Sequence, residues 1–200
     1  MKIKLFEMGP TRSARVRWTL LEAGLEFEAV DEGYKIFENE EFKKAHPLRK
    51  LPAVIIDGKA MFESAAICTH LADMVPDKQL IAKPGTWERA MHEQWTYFGM
   101  TELEAHLWSS ARNTFILPEE KRIPAIIEQN RKSFRPAAKL LDSVLADKEY
   151  LVGDRFSVTD IIMGYTMNWA HGDKLLDDHP NLQAYRERLL ARPHCPIKDS

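Results

Sequence analysis

Two cysteines in 200 residues, Cys68 and Cys195, are too few and too far apart for a disulfide framework or a cysteine-rich metal site. The chain also lacks any long uninterrupted apolar run, which excludes a bilayer-spanning helix. It lacks an excess of positive charge: 28 basic residues face 30 acidic ones, a formal net charge of −2, so nothing points to a phosphate-binding surface for nucleic acid. The N-terminus has no apolar segment with a small-residue cleavage site, and Met1 to Met8 reads as a strand instead of a signal peptide. The seven histidines are scattered. His92-Glu93 opens like a zinc-protease motif, but no second histidine follows at the required spacing, so no metal site is expected. A reduced, cytoplasmic protein is expected, with no metal, no membrane contact and no nucleic-acid partner.

What is present is an ordinary globular composition, 44% hydrophobic and 29% charged. The first part mixes strands and helices. Lys2 to Phe6 is a short strand, and Gly9-Pro10-Thr11-Arg12-Ser13 is a turn with hydroxyls suited to cap a helix. Ala14 to Ala23 carries Val16, Trp18, Leu20 and Leu21 at helical spacing, and Gly24 supplies a left-handed stop. Glu26 to Val30 alternates, with Phe27 and Ala29 expected inward. A weak helix is expected over Asn39 to Ala45. Ala53-Val54-Ile55-Ile56, the turn Asp57-Gly58 and the return Lys59 to Phe62 form a hairpin. Ser64 opens a helix ending before Pro76, with Cys68 on its apolar side.

Beyond Pro84 the pattern is helical. Trp87, Met91, Trp95, Phe98 and Leu103 make an apolar stripe opposite Glu88, Arg89, His92 and Glu93. Asn130 to Ala146 is a further helix that Pro136 either kinks or begins. Ser157 with Asp160 three positions later is a capping box ahead of Ile161-Ile162-Met163. A last helix spans Pro180 to Ala191. The expected organisation is residues 1–76, a linker at 77–84, and an all-helical domain at 85–200.

Four strings, in this order and spacing, are Arg15-Val16-Arg17 with Leu20 to Leu25, Arg49 to Val54, Phe62 to Ile67, and Gly153 to Asp160. Together they resemble the cytosolic glutathione transferase superfamily over nearly the whole chain. The resemblance implies a thioredoxin-like N-terminal domain (βαβαββα) followed by an all-helical domain. It implies a cis Pro52 with Leu51 pairing the cysteinyl part of glutathione. Glu63 and Ser64 would hold the γ-glutamyl end, Ser64 through its hydroxyl and a helix N-terminal N–H. Lys50 is the matching cation for the glycyl carboxylate, with His46 and Arg49 as looser candidates. Relatives activate the thiol with Tyr, Ser or Cys at the start of the first helix. Here the hydroxyls available are Thr11 and Ser13, and the choice between them stays open; Arg12 could assist by charge. Tyr97, Thr101 and His106 are candidates for the wall of the electrophile pocket. The implied activity is attack of a glutathione thiolate on a small hydrophobic electrophile, a detoxification chemistry, in a homodimer. The fold also hosts isomerases, dehalogenases and peroxidases that use glutathione, and non-catalytic protein-interaction modules. Asp160 is assigned to stability, and Cys195, near the exposed end, to an inert surface position in preference to a reactive thiol.

Overall fold

The structure is a computed structural model, and it describes residues 1–197. These fall into two compact units, residues 1–82 with the segment from Leu190 onward, and residues 83–189.

The first unit is built on a four-stranded sheet in the order β2-β1-β3-β4. Its strands are β1 (Ile3–Phe6), β2 (Glu28–Val30), β3 (Ala53–Ile56) and β4 (Lys59–Phe62). β1 pairs parallel with β2 and antiparallel with β3, and β3–β4 is the hairpin anticipated around Asp57-Gly58. β1 and β3 carry the inward-facing Ile3, Leu5, Phe6, Ala53 and Val54, whereas edge strand β2 is short and largely exposed. Ala29 therefore lies outside, against expectation: an edge strand with one neighbour has little to bury it. Three helices accompany the sheet: α1 (Ser13–Ala23), α2 (Glu40–Ala45) and α3 (Ser64–Asp73). α1 ends at Gly24 in the left-handed region, φ 66°, and the Leu25 N–H reaches back to the Leu20 carbonyl at 3.0 Å. Asn39 caps α2 by accepting from the Glu41 and Phe42 N–H groups, and the α2 side of the sheet buries Phe6, Ile36, Phe42, Ala45 and Ala53 as one cluster.

The C-terminal segment is pinned within this unit by ion pairing. Arg192 Nε and Nη2 donate to Glu22 Oε1 and Oε2 at 2.8 and 2.9 Å. Burial raises the Glu22 carboxyl, but the bonds from Arg192 and Trp18 outweigh it and leave it below the usual range. Cys195 is buried in this segment, which corrects the surface position expected for it.

The second unit is helical: α4 (Trp87–Phe98), α5 (Ala105–Ala111), α6 (Ala125–Val144), α7 (Val158–Gly172) and α8 (Pro180–Leu190). Two π-helical stretches, Gly99–Glu104 and Arg112–Ile116, flank α5. The α4 stripe is not the one anticipated. Trp87 is 76% exposed and His92 is 1% exposed, with His92 Nδ1 2.8 Å from Thr159 Oγ1 of α7. A hydrogen-bond partner on the neighbouring helix makes the imidazole a satisfactory core group. Gly99 marks a close approach, since a Cβ there would lie 2.9 Å from the Met163 methyl. α6 begins at Ala125 and runs through Pro136, so that proline neither starts nor ends it.

The α7 N-terminus is held by Asp160. Its Oδ2 accepts from the N–H (2.8 Å) and hydroxyl (3.0 Å) of Ser157, and its Oδ1 accepts from the Leu151 N–H (3.0 Å) and the Tyr185 hydroxyl (2.6 Å). This is the acidic half of the expected capping box, extended to a neighbouring loop and to α8.

Candidate functional site

The residues singled out in the first unit sit on three of its turns. The turn between β1 and α1 contains a cis Gly9–Pro10 bond, and the one before β3 contains the anticipated cis Leu51–Pro52 bond. In the first turn, Thr11 Oγ1 is 2.5 Å from the Met8 carbonyl oxygen and 2.6 Å from Ser13 Oγ. Ser13 Oγ also lies 3.2 Å from that carbonyl and accepts from the Met8 N–H. Two hydroxyl protons serve this cluster, and one consistent arrangement sends Thr11 to the carbonyl and Ser13 to Thr11. Thr11 is the outer hydroxyl, half-buried; Ser13 is the inner one, buried at the first residue of α1. Arg12, half-buried, directly precedes the helix.

The third turn joins β4 to α3. Glu63 is exposed and has φ 74°, a left-handed conformation that costs a non-glycine residue about 1–3 kcal/mol. That backbone delivers Ser64 as the first residue of α3, where its hydroxyl and the unpaired N–H groups of the helix end suit an anion. Ser64 is buried, and Arg15 Nη1 donates to its Oγ at 3.3 Å. A guanidinium cannot accept, so this contact occupies an acceptor site on Ser64 and leaves the serine proton to be donated elsewhere. Arg15 is fully buried, at a core-facing position of α1 that also carries Thr19 one turn on. The signal for it was legible as a charged residue among Val16, Trp18 and Leu20, yet its place beneath Ser64 depends on α1 packing against α3.

His46 adds a third group. It is buried, its ring centroid lies 4.6 Å from that of Phe62, and its Nδ1 accepts the Leu48 N–H at 3.2 Å. The neutral ring therefore carries its proton on Nε2. Burial lowers its basicity; the Glu63 carboxylate opposes this and the Lys50 ammonium adds to it. Lys50 and Arg49 are exposed and Leu51 is half-buried beside the buried Pro52. Cys68 lies in the core beneath, and burial pushes its thiol up to about 11 in spite of a hydrogen bond with Thr19 and the Arg15 charge.

In the helical unit, His106 lines a cavity of about 180 Å³ between α5, α6 and the end of α7. Tyr97, 64% exposed, and Thr101 are not among its lining residues, and the Thr101 hydroxyl has two local acceptors, the Tyr97 carbonyl at 3.0 Å and the Glu102 carboxylate at 3.2 Å. Among the described residues no group of three potential metal ligands converges, and no helix is long and apolar enough to cross a membrane.

Residues 1–73 match the glutathione S-transferase N-terminal domain, and residues 124–188 match the glutathione S-transferase C-terminal domain. Glutathione S-transferase GstA of Escherichia coli O157:H7 is 30% identical over 196 residues, covering 96% of this chain and 94% of that protein. The chain belongs to the glutathione S-transferase family. The rice (Oryza sativa subsp. japonica) protein described as probable glutathione S-transferase GSTF1 is 28% identical, covering 96% of this chain and 92% of its own. Among solved structures, the ternary complex of BphK, a bacterial glutathione transferase, superposes with a TM-score of 0.86 at 27% identity, covering 96% and 95% of the two chains. The sheet, the following helices and these relatives agree, and the chain is a glutathione transferase.

Proposed function

We propose that this transferase binds glutathione on its first unit and ionises the thiol for attack on a small hydrophobic electrophile. The observation that carries the reading is Ser64, buried at the head of α3, with Arg15 beneath it and Glu63 beside it. The γ-glutamyl carboxylate takes the Ser64 proton and the helix N–H groups, with the buried Arg15 charge reinforcing both. Glu63 receives the ammonium. The backbone of Leu51 pairs with the cysteinyl residue, and Lys50 faces the glycyl carboxylate. The relatives named above are glutathione transferases, which supports the same co-substrate here.

Thr11 is the proposed thiol activator, supported by its outer position, and Ser13 stands behind it as the second link of a hydroxyl pair. When Thr11 turns its proton from the Met8 carbonyl to the sulfur, Ser13 continues to donate to Thr11 and polarises it. Arg12 and the α1 N-terminus add favourable potential. A hydrogen bond to a charged acceptor contributes about 1.5–3 kcal/mol, which lowers a thiol from about 8.5 by about one to two pH units. That raises the ionised fraction at neutral pH from a few per cent to about a quarter or more. The helical unit supplies the electrophile pocket at the His106 cavity, and the assembly is a homodimer.

Calorimetric titration of reduced glutathione into the wild type and Ser64→Ala tests this directly. Binding in the micromolar to low millimolar range that weakens at least tenfold in the variant is expected. An absence of heat and of any thermal shift in the wild type would remove the reading.

A further inference from the structure

The cavity in the helical unit has a composition that restricts what enters it. Its apolar wall includes Phe115, Phe134 and Trp169. Its polar lining is His106 and Ser110, one turn apart on α5, Asn130 of α6, Thr114, whose hydroxyl donates to the Ser110 carbonyl at 2.9 Å, and the opposite charges of Arg131 and Asp173. Asn130 is more than nine-tenths buried, and its Nδ2 donates to Ser110 Oγ at 3.1 Å. That is the one side-chain hydrogen bond of Asn130 among the described residues, so its carbonyl oxygen is an acceptor without a partner. The same bond uses Ser110 as acceptor and leaves the serine O–H to donate. The ring nitrogens of His106 likewise have no hydrogen-bond partner among the described residues. These atoms are open to water in the cavity, so a ligand that takes its place must match the hydrogen bonds that water makes to them.

Size and charge narrow the ligand. An apolar cavity of about 150 Å³ holds one benzene ring, so about 180 Å³ holds a single ring with small substituents. Arg131 and Asp173 both line the cavity and offset each other's charge, so no net field favours an ion. An acceptor next to a donor is complementary to a hydroxyl, which both donates and accepts.

We propose that the helical-unit cavity binds a single phenolic ring, its hydroxyl donating to Asn130 Oδ1 and accepting from Ser110 Oγ–H, with the ring against Trp169 and Phe134. The preferred electrophiles are then phenols whose reacting carbon lies on a substituent outside the cavity. This substrate class rests on the assignment of the cavity to the electrophile, while ring binding itself is measured without turnover.

The test is calorimetric titration of 4-methylphenol, toluene and benzoate into the full-length chain, its Asn130→Leu variant and its Ser110→Ala variant. The wild type is expected to bind 4-methylphenol about tenfold tighter than toluene, equivalent to about 1.4 kcal/mol. Asn130→Leu should bring the two within about twofold, and Ser110→Ala should weaken 4-methylphenol severalfold with toluene unchanged. If Asn130→Leu does not fold by circular dichroism, Ser110→Ala decides alone. Toluene binding as tightly as 4-methylphenol, benzoate binding more tightly, no binding of any probe, or a preference that survives the substitutions would overturn the proposal. Reduced glutathione titrated into the same preparations separates the two readings. Its affinity should not change in either variant. Absent glutathione binding with an intact phenol preference would remove the transferase mechanism and leave the ring site, and the reverse result would remove the ring site alone.

Discussion

Removing the Asp160 carboxylate should be the most damaging single change in the helical unit. Each oxygen accepts one backbone N–H and one hydroxyl: Leu151 N–H and Tyr185 O–H on Oδ1, Ser157 N–H and O–H on Oδ2. In Asp160→Ala the hydroxyls can turn, but two backbone donors cannot, and the Tyr185 hydroxyl is fully buried. Stranding a buried donor costs about 1–3 kcal/mol. Three of them, less the relief from no longer burying a charge, come to about 3–6 kcal/mol. For a chain of this size 1 kcal/mol moves Tm by about 2–4 °C, so a fall of about 10–20 °C is expected. Asp160→Asn is informative because its NH₂ must face one backbone N–H whichever way the amide is placed, for a cost of about 1–3 kcal/mol. Burial pushes the Asp160 carboxyl above its ordinary range against the pull of these bonds. Urea denaturation of Asp160→Ala, Tyr185→Phe and the double variant checks the reasoning. The double variant should be more stable than the sum of the singles by about 1 kcal/mol, because the tyrosine donor is no longer stranded. Strict additivity, or an Asp160→Ala variant within about 0.5 kcal/mol of the wild type, would refute it.

Four further outcomes are expected. Thr11→Ala should lower kcat/KM about 10–100-fold at pH 6.5 and move the alkaline-rising limb of the pH–rate profile upward by about one to two units, while Thr11→Ser should retain most activity; steady-state kinetics across pH checks this. Thr96 Oγ1 is the buried side-chain polar atom without a hydrogen-bond partner among the described residues, so Thr96→Val should stabilise by about 1 kcal/mol in thermal melts. Glu63→Gly should relieve the left-handed backbone, raising stability by about 1 kcal/mol while weakening glutathione, a trade visible by pairing melts with calorimetry. The His46 proton is held less tightly in the folded chain than in the unfolded one, so its contribution is present above pH about 6.5 and fades as pH falls toward the lower folded value. His46→Phe should flatten that part of the stability–pH curve.

Much of the first unit was readable because its signals are local. A β-branched run, Asp57-Gly58 and a return strand specify a hairpin within ten residues, and Gly24 closes α1 by its own backbone freedom. The Ser157–Asp160 box is likewise local, although its reach to Leu151 and Tyr185 is not. What escaped depends on neighbours distant in sequence. His92 reads as polar and Trp87 as core until Thr159 supplies the imidazole with a partner. Arg15 stands out as a motif residue, but only the packing of α1 on α3 puts it under Ser64. The two hydroxyls of the first turn are two residues apart and equivalent in sequence. Only the turn geometry makes one outer and one inner. The π-helical stretches around α5 have no sequence signature, and with them the cavity was hidden apart from His106.

The burial of both cysteines makes the chain its own opening gauge. Native Cys68, fully buried and with its thiol pushed up to about 11, should resist a maleimide, and Cys195 is likewise buried, in the segment that Arg192 ties to Glu22. Alkylation of Cys68 therefore counts excursions that part α1 from α3, and alkylation of Cys195 counts detachment of the C-terminal segment. The two rates, resolved by mass spectrometry of the same sample, time separate fluctuations of one unit with no engineered label. Saturating glutathione should slow the first clock, because a ligand seated on the head of α3 closes the motion that exposes it.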